Sequence, residues 1–454
     1  MEQTTSPTAW YNPKIHVERL CRWHLHMQST FGNTTLIVLF LVYFAQGLRN
    51  FITLAITLFY KDILELPPDA TQFLKSLIWI AWYIKPIFGL LSDNIPIFGY
   101  HRKSYLFLSG IMGIVAYIGM LFIETELESV ILLMISEVGQ CIADIIADAI
   151  MVEASRKDLE VGSGRLQSYC WFSFALGGLI GGTLGGMALD YMSPQHVLAC
   201  LVVCPMILLV VSICIKENND KTHLSWATIL EKLRKVGKAF TDSAILKALL
   251  VIFIARSCSP SFSELMSYFM RDELKFSATF MSFLTTLSYF MLALGSILYG
   301  KFIVNWEFSS ALGVGQILLT FLGGVDILLV TKSYKNIGAS PYYFVLGGDA
   351  FGSVIEYTFR KLPMLVLGGQ LCPLGIEATL FSLFASASNF GVSVASTEGA
   401  FIMKMTGINS SSNKNIWILF AIAALSHLLL FPFLRLLPKK GKADEQNDLK
   451  EPLI

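Results

Sequence analysis

The sequence predicts an all-α membrane protein: twelve transmembrane helices in two pseudo-symmetric six-helix bundles. Three observations carry this. Of 454 residues, 54% are hydrophobic and only 15% charged, well below the roughly 25% charge of soluble domains. The apolar residues fall in blocks long enough to cross a hydrocarbon core of ~30 Å, which takes about 20 residues per helix. Charges inside those blocks also recur from one half of the chain to the other.

The blocks lie near 35 to 59, 72 to 91, 105 to 123, 130 to 152, 167 to 189, 196 to 215, 244 to 269, 278 to 303, 309 to 331, 342 to 359, 365 to 396 and 416 to 437. They define an N-terminal segment (1–34), a first bundle (35–215), a linker (216–243), a second bundle (244–437) and a tail (438–454). Most Lys and Arg fall in the first segment, alternate loops, the linker and the tail. The positive-inside rule then places both termini in the cytoplasm, as an even number of spans requires. The turn Glu124, Glu126, Glu128 faces out. No apolar core of a cleavable signal precedes the first span, which is expected to start insertion itself. Seven of the eight cysteines sit in spans and read as buried thiols rather than a disulfide framework. In the linker, Trp226, Leu230, Leu233, Val236 and Phe240 stand at helical spacing between Lys232, Arg234, Lys235 and Lys238, the pattern of an amphipathic helix on the membrane face.

A six-plus-six division is the outline of a major-facilitator transporter, and such folds carry internal repeats. Arg49 in span 1 matches Arg256 in span 7, and Tyr60 matches Tyr268; Glu137 and Asp144 in span 4 match Asp349 and Glu356 in span 10; Gly164 matches Gly375. An ionised side chain at mid-membrane costs at least ~2.5 kcal/mol on insertion scales, so these residues face partners or a watery cavity. Glu137, Gln140, Asp144 and Asp148 share one face of span 4, while Asp349, Ser353, Glu356 and Arg360 share one face of span 10. Pro260, one turn beyond Arg256, predicts a broken helix whose free backbone groups meet a ligand.

These patterns suggest a central cavity with acidic walls from spans 4 and 10 and basic walls from spans 1 and 7, binding a small organic solute. The alternative for the same residues is structural: Arg49 paired with Asp144 and Arg256 with Glu356, locking helices together. A pair that opens on binding serves both roles. Asp148 and Glu153, near Arg156 and Lys157, read as gate residues. After span 2, Gly89-Leu-Leu-Ser-Asp93 followed by Gly99-Tyr-His-Arg102-Lys103 reads as close packing at Gly89 and a clamp between Asp93 and Arg102 that holds one conformational state. Asp326 reads as a helix-end group and Glu264 as either wall or gate. The glycines of span 5, from Gly177 to Gly186, predict tight helix packing, and Asn409-Ser410-Ser411 is a glycosylation sequon in an outside loop. No phosphate-binding loop, zinc-spaced Cys/His set or activated nucleophile occurs, so no enzyme activity, cofactor, metal or nucleic-acid partner is expected.

At this point the chain resembles the folate-biopterin transporters within the major-facilitator superfamily. The match rests on WYIKPIFGLLSDNIPIFGYHRKSYL (82–106), on Asp144 through Asp148 and Glu153 to GSGRLQSYCW, on SPSFSELMSYF in span 7 and on PLGIEATLFSLFASASNFG in span 11. The resemblance implies transport of folates or pterins by alternating access, coupled to protons in some members. Adjacent N–H donors of a pterin suit a carboxylate such as Asp144, and folate carboxylates suit Arg49 or Arg256. Glu137, Asp349 and Glu356 complete the expected substrate wall, and rings such as Trp171 offer stacking surfaces. Two other readings stay open: a carrier of another organic anion, and a non-transporting receptor, which has no need for matched midplane charges. A monomer is the default for this fold. The membrane is the plasma membrane or an internal one, the tail ending Glu451-Pro452-Leu453-Ile454 only loosely resembling a dileucine sorting signal.

Overall fold

The computed structural model describes residues 26–155, 162–215, 217, 230, 234, 237, 241–371, 377–408 and 415–438. The amphipathic linker helix, the sequon at Asn409 and the terminal sorting signal fall largely or wholly outside these residues. Among them, the helices group in chain order into twelve rods. Seven of the rods are, as single helices, long and apolar enough to cross a membrane; the others are short, interrupted or more charged.

Rod α1 (Asn33–Ile63) follows Gly32, which holds φ at 85°. Rod α2 is three pieces, Pro68–Ile78, Ile80–Tyr83 and Lys85–Asn94, the last break falling just before Pro86. Then come α3 (Lys103–Gly119), α4 (Glu126–Ser155), α5 (Gly162–Leu189) and α6 (Pro194–Cys200 with Val203–Cys214). Rod α7 is Ser243–Ser257 with Ser263–Asp272, broken around Pro260 as predicted. The series closes with α8 (Ala278–Leu298 and a π turn), α9 (Phe308–Val330), α10 (Pro341–Ile355, a π turn Glu356–Lys361, and Leu362–Gln370), α11 (Glu377–Thr406) and α12 (Ile416–Ser426 with a 3₁₀ stretch His427–Leu436). Proline opens α2, α6 and α10, where its missing N–H costs nothing.

Two expectations are corrected here. Helix α10 continues to Gln370, so Arg360 and Lys361, which the apolar block ending at 359 puts at the end of span 10, lie inside the rod. The eleventh rod accordingly starts at Glu377 and reaches Thr406, later than the apolar block suggests.

The largest buried apolar cluster is built from rods α1 to α6, and two others from α7 to α12, one of them also touched by a partly buried Leu54 of α1. Two seams join these bodies, α2 on α11 and α5 on α8, and the glycines of α5 explain the closeness of the second. Gly177, Gly181 and Gly185 face α1: a Cβ on Gly181 would stand 2.5 Å from the Leu48 carbonyl oxygen, and one on Gly177 or Gly185 would overlap the carbonyl of Phe44 or Phe51. Gly178, Gly182 and Gly186 face α8, where a Cβ would press on Tyr289, Thr286 and Ser282. Helix α5 is therefore in near-backbone contact on two sides.

Candidate functional site

In the N-terminal half the site is built from α1, α2 and α4. Helix α1 tightens into a 3₁₀ turn at Arg49–Ile52, and the Arg49 guanidinium there pairs with Glu137 of α4. Trp82 Nε1 donates to Glu137 Oε2 at 2.8 Å, and Arg49 lies over the Trp79 ring, 5.4 Å from its centroid. Glu137 is only 2% exposed, so both its oxygens are spoken for in a dry setting. Two turns along α4, Lys85 binds Asp144 and, at 3.0 Å, Asp148. Gln46 donates to Asp144 at 3.0 Å and the Tyr43 hydroxyl to Asp148 at 2.5 Å. Helix periodicity produces this set: Tyr43, Gln46 and Arg49 line one face of α1, and Trp79, Trp82 and Lys85 descend α2 at matching steps.

In the C-terminal half, Arg256, just before the break in α7, pairs with Glu356, which also takes Arg360 at 2.9 Å. The Arg360 guanidinium further donates to the Ala255 carbonyl. Asp349 has no cation among the described residues; Ser288 of α8 donates to it at 3.1 Å and Ser353 donates to Ser288 at 3.0 Å. Asp326, one turn from the end of α9 as expected, lies in the field of Asp349.

The pairing Arg256–Glu356 is as expected; Arg49–Asp144 is not. Arg49 meets Glu137, and Asp144 belongs to Lys85. The reason lies in α2. Lys85 supplies a cation that the repeat does not reproduce, because the matching stretch of α8, Ala293 to Ile297, has none. Arg256 therefore drops to Glu356, while the equivalent of Glu137, Asp349, is left to hydroxyls. Lys85 is the functional-site residue the sequence reading missed. Asp148 joins Asp144 on that lysine, and Glu153 pairs with Arg102 at 3.0 Å. The Asp93 side chain lies outside the described residues. Trp171 stands away from these clusters in its described contacts, edge-on to Phe174, which in turn meets Tyr289 across the seam at 5.8 Å.

The broken turn of α7 also differs from expectation. Its freed backbone is taken up by protein: Ser261 N donates to the Ala395 carbonyl at 2.9 Å, and Gln72 Nε2 donates to the carbonyls of Ser261 and Ser396. Around it a lock joins the halves at the end away from the termini. Lys75 Nζ binds Glu264 at 2.5 Å and Thr57 at 2.8 Å, Thr57 donates to Glu264 at 2.9 Å, Thr71 meets Tyr268 at 2.9 Å, and Lys61 pairs with Asp272 at 2.7 Å. Glu264, 5% exposed, is thus a cross-half residue. Reversing it tests the lock: Lys75→Glu is expected to cut uptake at least about tenfold and Lys75→Glu/Glu264→Lys to restore most of it, since an unpaired buried charge costs several kcal/mol. Equal activity in all three proteins would rule out a role for the pair.

A twelve-rod bundle in two halves, each with charges paired inside it, has the outline of the major-facilitator fold. Solved structures agree: a D-xylose-proton symporter superposes with a TM-score of 0.65 at 14% identity, covering 90% of this chain and 98% of that one. The nucleoside transporter NupG gives 0.67 at 12%, covering 89% and 100%. The chain belongs to the BT1 family, whose model matches residues 46–452. It is 29% identical to a probable folate-biopterin transporter 4 of Arabidopsis thaliana over 93% of this chain and 99% of that protein. It is 30% identical to a folate-biopterin transporter of Synechocystis (92% and 85%) and 25% identical to folate transporter 2 of Plasmodium falciparum (89% and 88%).

Proposed function

We propose that this protein is a transporter, not an enzyme, that moves folates or pterins across a membrane by alternating access. The observation that carries the reading is the pair of charge clusters, one in each half, in a chain whose relatives bear folate-transporter names. Residues 35–215 and 244–437 act as the two moving bodies. Arg49, Glu137, Asp144, Asp349, Arg256 and Glu356, with Lys85 added, line the solute path. With both termini cytoplasmic, the lock around Glu264 is the outer gate, and Arg102, Glu153 and Asp93 make up the inner one. Asp144 and Asp148 share a single lysine, so one of the two carboxylates is free to exchange a proton as the solute comes and goes, which couples uptake to a proton gradient. The protein works as a monomer in the plasma membrane or an internal membrane.

Uptake of labelled folate and biopterin into vesicles holding the purified protein tests this. Asp144→Asn and Arg256→Ala are expected to reduce the rate at least about tenfold, the loss of one charge-assisted contact. An imposed inward proton gradient should speed the wild type and leave Asp144→Asn unchanged. Wild-type vesicles that take up neither compound, while another organic anion accumulates, would replace the substrate class.

A further inference from the structure

The two halves do not hold equivalent charge. On α4, three carboxylates, Glu137, Asp144 and Asp148, share two cations, Arg49 and Lys85. On α10 one carboxylate, Glu356, stands against Arg256 and Arg360, with Lys361 in the field of the same pair. Asp349 is two turns away and bonded to Ser288. Lys361 has no carboxylate partner among the described residues; its ammonium lies 5.1 Å from the Tyr357 ring centroid and its side chain is exposed. The Nε groups of both Arg256 and Arg360 are buried without an acceptor, as is that of Arg49 in the other half, so the halves differ in their count of cations; Arg360 is only 7% exposed. Cations in excess and guanidinium N–H groups left unbonded are what an anion site looks like before its anion arrives. The excess on α4 is of negative charge, three carboxylates to two cations, which suits N–H donors instead.

We propose that the solute lies across the two halves in one orientation: its carboxylates against Arg256, Arg360 and Lys361 on the α7/α10 side, its ring N–H donors against Asp144 and Asp148 on the α1/α4 side. Lys361 is then the residue that separates carboxylated from uncarboxylated pterins. Arg256 and Arg360 are already committed to Glu356, and a solute carboxylate joining them still leaves Lys361 as the cation it neutralises. This assignment rests on the folate and pterin reading above.

The test uses the full-length protein in vesicles with three probes: labelled folate, which has a glutamate tail; labelled biopterin, which has no carboxylate; and unlabelled p-aminobenzoylglutamate as a tail-only competitor. Lys361→Gln is expected to raise the KM for folate at least about tenfold and to abolish competition by the tail compound, with the KM for biopterin within about twofold of wild type. Lys361→Arg should restore folate. Biopterin uptake by the same preparation reports that the variant is folded. A Lys361→Gln protein in which both pterins weaken alike, or neither does, overturns the orientation and leaves the substrate class standing. Wild-type vesicles that move neither pterin overturn the substrate class, and the orientation with it.

Discussion

Arg49→Met alone is expected to destabilise the protein by ~3–5 kcal/mol and to stop uptake, whereas Arg49→Met/Glu137→Leu should regain most of the stability and still not transport. The single substitution strands Glu137, 2% exposed, with only the Trp82 N–H for a partner, and an uncompensated buried charge costs that much. The double substitution removes both charges and fills the space with apolar chains of similar volume, which is often neutral or stabilising. Thermal unfolding of the purified proteins gives the first readout and vesicle uptake the second. A double variant that transports at the wild-type rate would make the pair purely architectural. One that stays as unstable as the single would mean that Arg49 holds the fold through contacts other than Glu137.

The second large effect concerns α5. Gly177→Ala or Gly185→Ala is expected to leave no monodisperse protein on size exclusion, while Gly324→Ala on α9 should be harmless or stabilising by ~0.5–1 kcal/mol. The substituents are identical and the surroundings are not. At Gly177 and Gly185 the new methyl falls on the carbonyl oxygens of Phe44 and Phe51, backbone atoms that move only if α1 moves; at Gly324 nothing lies within 4 Å. Normal folding of Gly177→Ala with unchanged uptake would show that α1 and α5 are not in fixed contact.

What the sequence disclosed and what it hid follow from how each feature is written into it. The order of helices was legible because each rod is an apolar block, and the Arg256–Glu356 pair because both residues recur in the repeat. Rod ends were poorly legible around residue 360. Arg360-Lys361-Leu-Pro reads as the end of a span, but the π turn at Glu356–Lys361 has already altered the hydrogen-bond register there. Pro363 therefore enters where a helix start tolerates it, and α10 runs on. Arg49's partner was not legible. Three acids share the facing side of α4, and which of them sits level with Arg49 depends on how α1 crosses it. The deciding residue, Lys85, looked like a charge near a helix end. Only the breaks of α2 at Trp79 and Ile84 turn it toward Asp144. Glu264 was left open for a similar reason: its partners, Lys75 and Thr57, lie in the other half, and nothing in the repeat links them.

The seam between α5 and α8 has a bearing on rate. Where two helices interlock through long side chains, moving one past the other requires each knob to leave its hole, and that sets a barrier whatever else the protein does. Here one surface is Gly178, Gly182 and Gly186, and the other presents Tyr289, Thr286 and Ser282, so little must be withdrawn before the surfaces shift. In a carrier that rocks about this seam, the α5–α8 contact adds little to the barrier, and the release of the Lys75–Glu264 and Arg102–Glu153 pairs adds more. Its speed then answers to salt, charge and solute occupancy, while the seam behaves as a bearing.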